Sequence, residues 1–276
     1  MMNDMKKILA IIAIIACASF DLQAQRLTIL HLNDTHSHIE PVRSGQEYQE
    51  GGVIERAAFV DSVRKADGRK NVLLLHAGDF SQGTSYFTIF HGDLEISLMN
   101  AQKYDVVTLG NHEFDNGIEE LTRRVKKLKC PLVCCNYDFS TFELGKYVKP
   151  YAIIHKAGLK IGVIGVLTDI SSVVSRQVVE KLPQLDAVVQ VNKYAEYLKK
   201  EKKCDMVIAL THIGYTGEGL IDPVLASKTR NVDLFVGGHS HTFLKKIEHA
   251  ENLDGKQIPI VTDGCWGLYV GELKLN

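Results

Sequence analysis

Metal-ligating side chains follow directly after five separate apolar segments of this chain, and that arrangement constrains the fold more than any other feature. The five sites are Asp34-Thr35-His36, Gly78-Asp79, Gly110-Asn111-His112-Glu113, Thr211-His212 and Gly238-His239-Ser240-His241. Each apolar segment predicts a buried strand, and α/β proteins bind ligands outside the carboxyl ends of their strands. The set therefore predicts a site for two metal ions, and paired ions bridged by oxygen ligands typically hydrolyse phosphate esters.

Apolar periodicity predicts strands and helices that alternate along the chain. Strands are predicted at residues 27–32, 72–75, 106–109, 206–210, 234–236, 258–262 and 267–275. Helices are predicted at residues 53–63, 94–99 and 186–202, and another from Asn116 with Glu119 as its capping partner. The runs 151–154 and 160–166 flank a short turn and predict a hairpin. Alternating βα units on both sides of a hairpin predict two packed sheets with helices outside.

The first two dozen residues have the composition of an export signal. Lys6 and Lys7 precede the apolar run 8–16, which is too short to span a bilayer as a helix. Leu22-Gln23-Ala24 resembles a cleavage site. We therefore expect residues 1–24 to be a signal peptide and the protein to be periplasmic or secreted.

A second interpretation of the same region remains open. Residues 14–17 resemble a bacterial lipoprotein signal, in which Cys17 would be lipidated and would anchor the protein to a membrane. In either case residues 25–276 are expected to form one domain, since about 250 residues suit a single α/β enzyme domain. The formal net charge of −1 gives no electrostatic reason to bind a nucleic-acid polymer.

The first and last ligand segments share a spacing. In Asp34-Thr35-His36, residues i and i+2 of an extended backbone point the same way, so a carboxylate and an imidazole can share one ion. The same spacing predicts that His239 and His241 face one side of their loop. Without the other segments, a turn-forming Asp beside a surface His explains the first pattern equally well.

The segment 110–115 is the most specific of the five. Gly110 permits a sharp bend after a strand, and Asn111 offers a neutral carbonyl oxygen to a metal. Asp115 lies three residues after His112 and can accept a hydrogen bond from its ring, which fixes the tautomer and raises the pKa of the imidazole. His112 is thus a candidate proton donor, with a buried structural His as the alternative.

The remaining aromatic and imidazole side chains carry weaker signals. His31 and His76 lie within predicted strands and are expected in the core. His38 is the most suitable of the other histidines to approach the site. Trp266 and Tyr269 are expected to pack in the core.

Taken together, the strings at residues 32–38, 110–115 and 237–241 resemble the calcineurin-like metallophosphoesterase superfamily, and in particular its secreted 5′-nucleotidase branch. That branch also contains UDP-sugar hydrolases and cyclic-nucleotide phosphodiesterases. The resemblance covers essentially the whole chain after residue 24. It implies a four-layer α/β/β/α sandwich, with two mixed sheets flanked by helices and the metals at the strand ends.

The resemblance also implies a role for each ligand candidate. One divalent ion would be held by Asp34, His36, Asp79 and His241. The other would be held by Asp79, Asn111, His212 and His239, so that Asp79 bridges the pair. His112 and Asp115 would form the catalytic pair. Periplasmic relatives often have Gln at the position of His241, and ligands of these types suit Mn, Zn, Fe or Co.

The resemblance implies an exported 5′-nucleotidase-type phosphomonoesterase that uses a metal-bridging hydroxide on a small phosphorylated substrate such as a nucleotide. The alternatives are a UDP-sugar hydrolase, a 2′,3′-cyclic-nucleotide phosphodiesterase, or a non-catalytic surface binding protein on the same fold. Family enzymes usually carry a C-terminal nucleotide-binding domain, and this sequence stops at Asn276, where that domain would begin. A separate nucleotide-binding subunit or a smaller substrate is therefore expected.

Overall fold

The structure is a computed structural model that describes residues 26–43 and 45–275. The predicted signal peptide and the candidate lipidation site Cys17 lie outside the described residues. Within the described ranges, no helix combines the length and the apolar character that a bilayer crossing requires.

Twelve strands and seven α-helices make up the described part of the chain. The strands are β1 (Leu27–Leu32), β2 (Val72–His76), β3 (Val106–Thr108), β4 (Leu132–Val133), β5 (Val148–Lys149), β6 (Tyr151–Lys156), β7 (Leu159–Leu167), β8 (Met206–His212), β9 (Leu234–Val236), β10 (Glu248–Glu251), β11 (Gln257–Val261) and β12 (Gly271–Leu275). The helices are α1 (Val53–Asp67), α2 (Ser85–Phe90), α3 (Asp93–Gln102), α4 (Ile118–Val125), α5 (Arg176–Lys181), α6 (Ala187–Lys200) and α7 (Asp222–Ser227).

The strands form two sheets of six. The first has the order β12-β1-β2-β3-β4-β5, and the second has the order β10-β11-β9-β8-β7-β6. In the first sheet β1 to β5 are parallel, and β12 pairs antiparallel with β1 at the edge. In the second, β7, β8, β9 and β11 are parallel, and β6 and β10 close the edges antiparallel. Both sheets are therefore mixed, as expected.

Alternating side chains of β1 show how the layers are built. Leu27 and Ile29 lie in the apolar cluster between the two sheets. Leu30 and Leu32 point the other way, into a cluster that includes residues of α1, α3 and α4. Because successive residues of a strand face opposite sides, a strand that is apolar on both faces must be covered on both.

The second sheet repeats this arrangement. Ile208 and Leu210 of β8 join the cluster between the sheets, whereas Val207 and Ala209 pack in a cluster with residues of α6 and α7. Full burial of a Val, Leu or Ile side chain stabilises a fold by roughly 1.5–3 kcal/mol. The four-layer α/β/β/α prediction is confirmed.

Several element predictions are confirmed and others are wrong in detail. The hairpin forms from β6 and β7, and the Asp186 side chain caps α6 by accepting a hydrogen bond from the amide of Val189. The helix predicted from Asn116 begins only at Ile118, because Gly117 before it has a φ of 86° and no side chain caps the helix.

The last predicted strand also starts later than expected. Trp266 and Gly267 both have a φ of 61°, so the backbone turns there and the strand begins at Gly271. The expectation of a core position is wrong for Tyr269, which is 50% exposed. It is confirmed for His31 and His76, which are both buried.

Candidate metal centre

The predicted ligand segments meet at one edge of the two sheets. In the first sheet, β1, β2 and β3 each end just before a candidate ligand segment. In the second sheet, β9 ends just before such a segment, and β8 ends at His212 within one. Because these strands are parallel within each sheet, their carboxyl ends lie on the same side.

Six of the candidate side chains form two groups with the spacing of metal sites. One group contains Asp34, His36 and His241, and the other contains Asp79, His212 and His239. Within each group, one ligand atom from each residue lies within 4.8 Å of the others.

Asp79 lies between the two groups. Its Oδ2 atom is 3.0 Å from Nε2 of His212 in its own group and 3.8 Å from Nε2 of His36 in the other. Its other oxygen, Oδ1, accepts a hydrogen bond of 2.9 Å from the amide of His112. One oxygen is therefore held by the backbone, and the other is turned toward both groups.

The two carboxylate oxygens of Asp34 also differ in their surroundings. Oδ2 accepts hydrogen bonds from the side-chain amide of Asn33 at 2.7 Å and from the backbone amide of His239 at 2.8 Å. Oδ1 is buried and has no hydrogen-bond partner among the described residues. An unpaired buried polar group costs about 1–3 kcal/mol, and a cation at this place would satisfy the oxygen.

Two further buried atoms fit a cation. The side-chain oxygen of Asn111 has no hydrogen-bond partner within the described ranges. The Nδ1–H of His212 donates to the carbonyl of Ala77 at 2.7 Å, so whenever the ring is neutral its lone pair is on Nε2. This tautomer is the one that a metal ligand needs.

The buried carboxylates of the centre favour the binding of positively charged groups. Burial would lower the pKa of His212, but the carboxylates of Asp79 and Asp34 raise it to about 10. Burial would likewise raise the pKa of Asp79, but the charge and hydrogen bond of His212 hold it well below its ordinary range. Two buried carboxylates that stay ionised make a strong site for divalent cations.

His112 lies on the half-exposed side of the centre. Its Nδ1 is 2.9 Å from Oδ2 of Asp115, and this hydrogen bond is the main reason that the pKa of His112 is raised. The ring centroids of His112 and His36 are 5.5 Å apart. Because Asp115 holds Nδ1, Nε2 is the atom available to donate a proton.

The backbone of the ligand loops differs from the prediction. The segment 34–36 was expected to be extended, but Asp34 and His36 have left-handed φ angles of 48° and 46°. Three further candidate ligands have φ angles of 51° to 84°: Asp79, His239 and His241. Such conformations are uncommon outside glycine and concentrate at functional sites. As a result His239 and His241 do not face one ion but fall into different groups, as the family resemblance implied.

Glu113 lies in one of the five predicted segments, but the sequence analysis assigned it no role. It is fully buried and accepts three backbone hydrogen bonds, from Asp79 at 2.9 Å, from Gly110 at 2.6 Å and from Ser81 at 3.0 Å. Burial, followed by the charge of Asp79, raises the pKa of Glu113 to about 7. Its carboxylate fastens the loop after β2 to the loop after β3. The only sequence signal was its position next to His112.

Glycine is required where those two loops meet. A Cβ atom on Gly110 would collide with the Asp79 carboxylate and with its backbone nitrogen. The close approach of the two loops therefore depends on the absence of a side chain at this position.

His38 reaches the rim of the centre, as expected. Its Nδ1 is 3.0 Å from the carbonyl oxygen of His36, and its ring stacks on Trp266 with the centroids 5.0 Å apart. The expectation that Trp266 packs in the core is wrong, because this side chain is only partly buried. Its backbone amide donates to the carbonyl of Asp34 at 2.6 Å.

Comparison with known protein families shows which family has this sequence pattern. The calcineurin-like phosphoesterase family pattern matches residues 27–243. The chain belongs to this family. Calcineurin-like phosphoesterases use a dinuclear divalent metal site, and the two ligand groups of this phosphoesterase agree with that.

Curated relatives of this phosphoesterase include several 5′-nucleotidases. The snake venom 5′-nucleotidase of Naja atra is 35% identical over 272 residues, which cover 91% of this chain and 50% of that protein. The 5′-nucleotidase of Homo sapiens is 32% identical over 276 residues, which cover 92% of this chain and 47% of that protein. The chain thus spans about half the length of these relatives.

Solved structures support the same fold. The 5′-nucleotidase precursor from Thermus thermophilus superposes with a TM-score of 0.82 at 34% identity, over 91% of this chain and 51% of that one. The calcineurin-like phosphoesterase YfkN from Bacillus subtilis gives a TM-score of 0.72 at 28% identity, over 91% of this chain and 85% of that one.

Proposed function

We propose that this phosphoesterase is a metal-dependent phosphomonoesterase of the 5′-nucleotidase type. Its two ions would be held by Asp34, His36, Asp79 and His241 and by Asp79, Asn111, His212 and His239. The main support is the position of Asp79, whose Oδ2 lies 3.0 Å from His212 and 3.8 Å from His36. A single oxygen between two ligand groups is the arrangement that a shared ligand requires.

His112 and Asp115 divide the proton chemistry between them. Bound divalent ions supply Lewis-acid stabilisation of the charged phosphoryl group. His112 donates a proton from Nε2 to the leaving oxygen, and Asp115 holds the ring in that tautomer through the 2.9 Å contact to Nδ1. The raised pKa of His112 keeps the donor protonated more of the time near neutral pH.

Substrate choice is proposed from the relatives. Two curated proteins aligned over more than nine tenths of this chain are named 5′-nucleotidases, which supports a nucleoside monophosphate as the substrate. The purified, manganese-loaded chain should release phosphate from AMP, and EDTA should abolish the release. UDP-glucose and 2′,3′-cyclic AMP, assayed in parallel, test the two alternative activities.

Three possible results would decide between the interpretations. If the metal-loaded protein neither released phosphate from AMP, nor formed UMP and glucose 1-phosphate from UDP-glucose, nor opened the ring of 2′,3′-cyclic AMP, the enzyme would be refuted and a binding protein on the same fold favoured. A preference for AMP over p-nitrophenyl phosphate would mean that this domain recognises the nucleoside itself. Equal turnover of both would mean that this domain does not itself recognise the nucleoside.

Export is proposed from the sequence of residues 1–24. Lys6 and Lys7, the apolar run 8–16 and the small residue Ala24 have the order of a secretory signal. N-terminal sequencing of the mature protein should begin at Gln25. A lipid-modified N-terminus at Cys17 would establish the anchored form, and an intact Met1 on the mature protein would refute export.

A further inference from the structure

Arg124 is the largest fully buried side chain among the described residues. Arginine is almost never fully buried unless it is paired. Its Nη1 donates to the hydroxyl of Ser81 at 2.8 Å, and its Nη2 donates to the carbonyl of Glu113 at 2.5 Å. A charged side chain from α4 is thus committed to two polar groups beside the metal centre.

The Glu113 carboxylate accepts hydrogen bonds from the amides of Asp79, Gly110 and Ser81, and we call this set of bonds the Glu113 clasp. Both partners of Arg124, Ser81 and Glu113, belong to the clasp. Ser81 donates its amide to that carboxylate and accepts from Arg124 with its hydroxyl. Glu113 is held by its side chain on one side and by its carbonyl on the other. Arg124 therefore hydrogen-bonds no candidate ligand, but it holds Glu113, which accepts from the Asp79 amide, and Ser81, which donates to the same carboxylate.

The charge that balances Arg124 comes in part from Glu95 of α3. Glu95 is 4% exposed, and neither of its carboxylate oxygens has a hydrogen-bond partner among the described residues. The buried Nε–H of Arg124 also has no hydrogen-bond partner among the described residues. After Glu113, Glu95 is the next carboxylate that counteracts the effect of burial on the pKa of Arg124.

Arg124 and Glu95 form no direct ion pair within the described part of the chain. The Arg124 side chain also fills the space over Gly92, where a Cβ would collide with it. Its guanidinium carbon lies 5.6 Å from the ring centroid of Phe87.

We propose that Arg124 is a positioning residue for the metal centre. It holds Ser81 and Glu113 so that the Glu113 carboxylate fixes the loops of Asp79 and Gly110. This role rests on the proposed function, because it assumes that Asp79 is a shared ligand.

A double-mutant cycle separates positioning from simple stability. The variants are Arg124→Met, Glu95→Leu and the double variant. The control is Arg123→Met on the same helix, since Arg123 pairs with Asp93 and Glu120 at the surface. Three quantities are measured for each: the melting temperature, amide hydrogen exchange at Asp79, Ser81 and Gly110 in the metal-free protein, and the dissociation constants for manganese.

Arg124→Met and Glu95→Leu should each melt at a lower temperature than the wild type, because each leaves a buried charge without its partner. The double variant should return to within about 3 °C of the wild type, because both charges are gone. Amide exchange should nevertheless remain about tenfold faster in Arg124→Met and in the double variant, with manganese bound ~10–100-fold more weakly. Glu95→Leu and the Arg123 control should keep wild-type exchange and affinity.

A double variant with wild-type exchange and wild-type manganese affinity would overturn the positioning role and leave Arg124 as a structural residue. If the wild type itself bound no manganese, the proposed function would fail, yet the exchange rates would still decide whether Arg124 holds the clasp.

Discussion

Oδ2 of Asp79 lies 3.0 Å from Nε2 of His212, and this contact joins the two sheets at their ligand-bearing edge. Asp79 follows β2 of the first sheet, and His212 is the last residue of β8 in the second. The dinuclear centre is therefore an interface between the sheets rather than a feature of either one, and its geometry depends on how the sheets pack.

Replacement of His112 by Asn should separate proton donation from metal binding. We expect kcat with AMP to fall ~10²–10⁴-fold, the usual contribution of a general acid, while the chain keeps its metal content. Asp115→Asn should give a smaller loss, since it removes the group that orients the ring but leaves the donor. Steady-state kinetics with elemental analysis of the same samples checks both, and undiminished turnover by the His112 variant would contradict its role.

Replacement of Glu113 by Gln should loosen the metal centre without removing a ligand. The carboxylate accepts three backbone amides, whereas an amide side chain would turn its NH2 group toward at least one of those donors. We expect manganese to bind ~10–100-fold more weakly by calorimetric titration. Glu119→Gln, an exposed position near the start of α4, is the control, and equal affinities in the two variants would count against the clasp.

Asp222 should make the stability of the metal-free protein depend on pH. Burial raises the pKa of this carboxyl from 3.8 to about 7, partly offset by the 2.6 Å hydrogen bond from Thr211. Because the folded state binds the proton more tightly, its contribution is complete below the unfolded pKa and is lost as the pH rises through about 7.

Urea unfolding in EDTA at pH 5 and pH 8 measures this effect. We expect the wild type to lose on the order of 3 kcal/mol more of its unfolding free energy over that interval than Asp222→Asn. The variant cannot titrate at this position, so parallel pH profiles of the two proteins would show that Asp222 is ionised in the folded state.

The fold was predictable to the extent that apolar periodicity reflects burial. Strands such as β1 and β8 are apolar on both faces, and that pattern predicts a sheet covered on both sides. β4 and β5 have two residues each, which is too short for any periodicity. β10 consists of Glu-His-Ala-Glu and lies at a sheet edge, so nothing in its composition marks it as a strand.

The sequence predicted the candidate ligands that the fold brings together, but not the residues that hold their loops in place. Candidate ligands such as Asp79 and His212 are recognisable because they are polar residues at the ends of apolar runs. Glu113 and Arg124 are not, since a charged residue in a turn or on a helix normally indicates solvent exposure. The left-handed backbone at Asp34 and His241 results from packing between loops distant in sequence, which spacing alone cannot convey.

The measurement that tests this account most directly is anomalous diffraction from crystals of the manganese-loaded protein. Two manganese peaks should appear, one among Asp34, His36 and His241 and one among Asn111, His212 and His239, both within ligand distance of Asp79 Oδ2. A single peak at full loading, or a pair of peaks that do not share Asp79, would contradict the dinuclear centre proposed for this phosphoesterase.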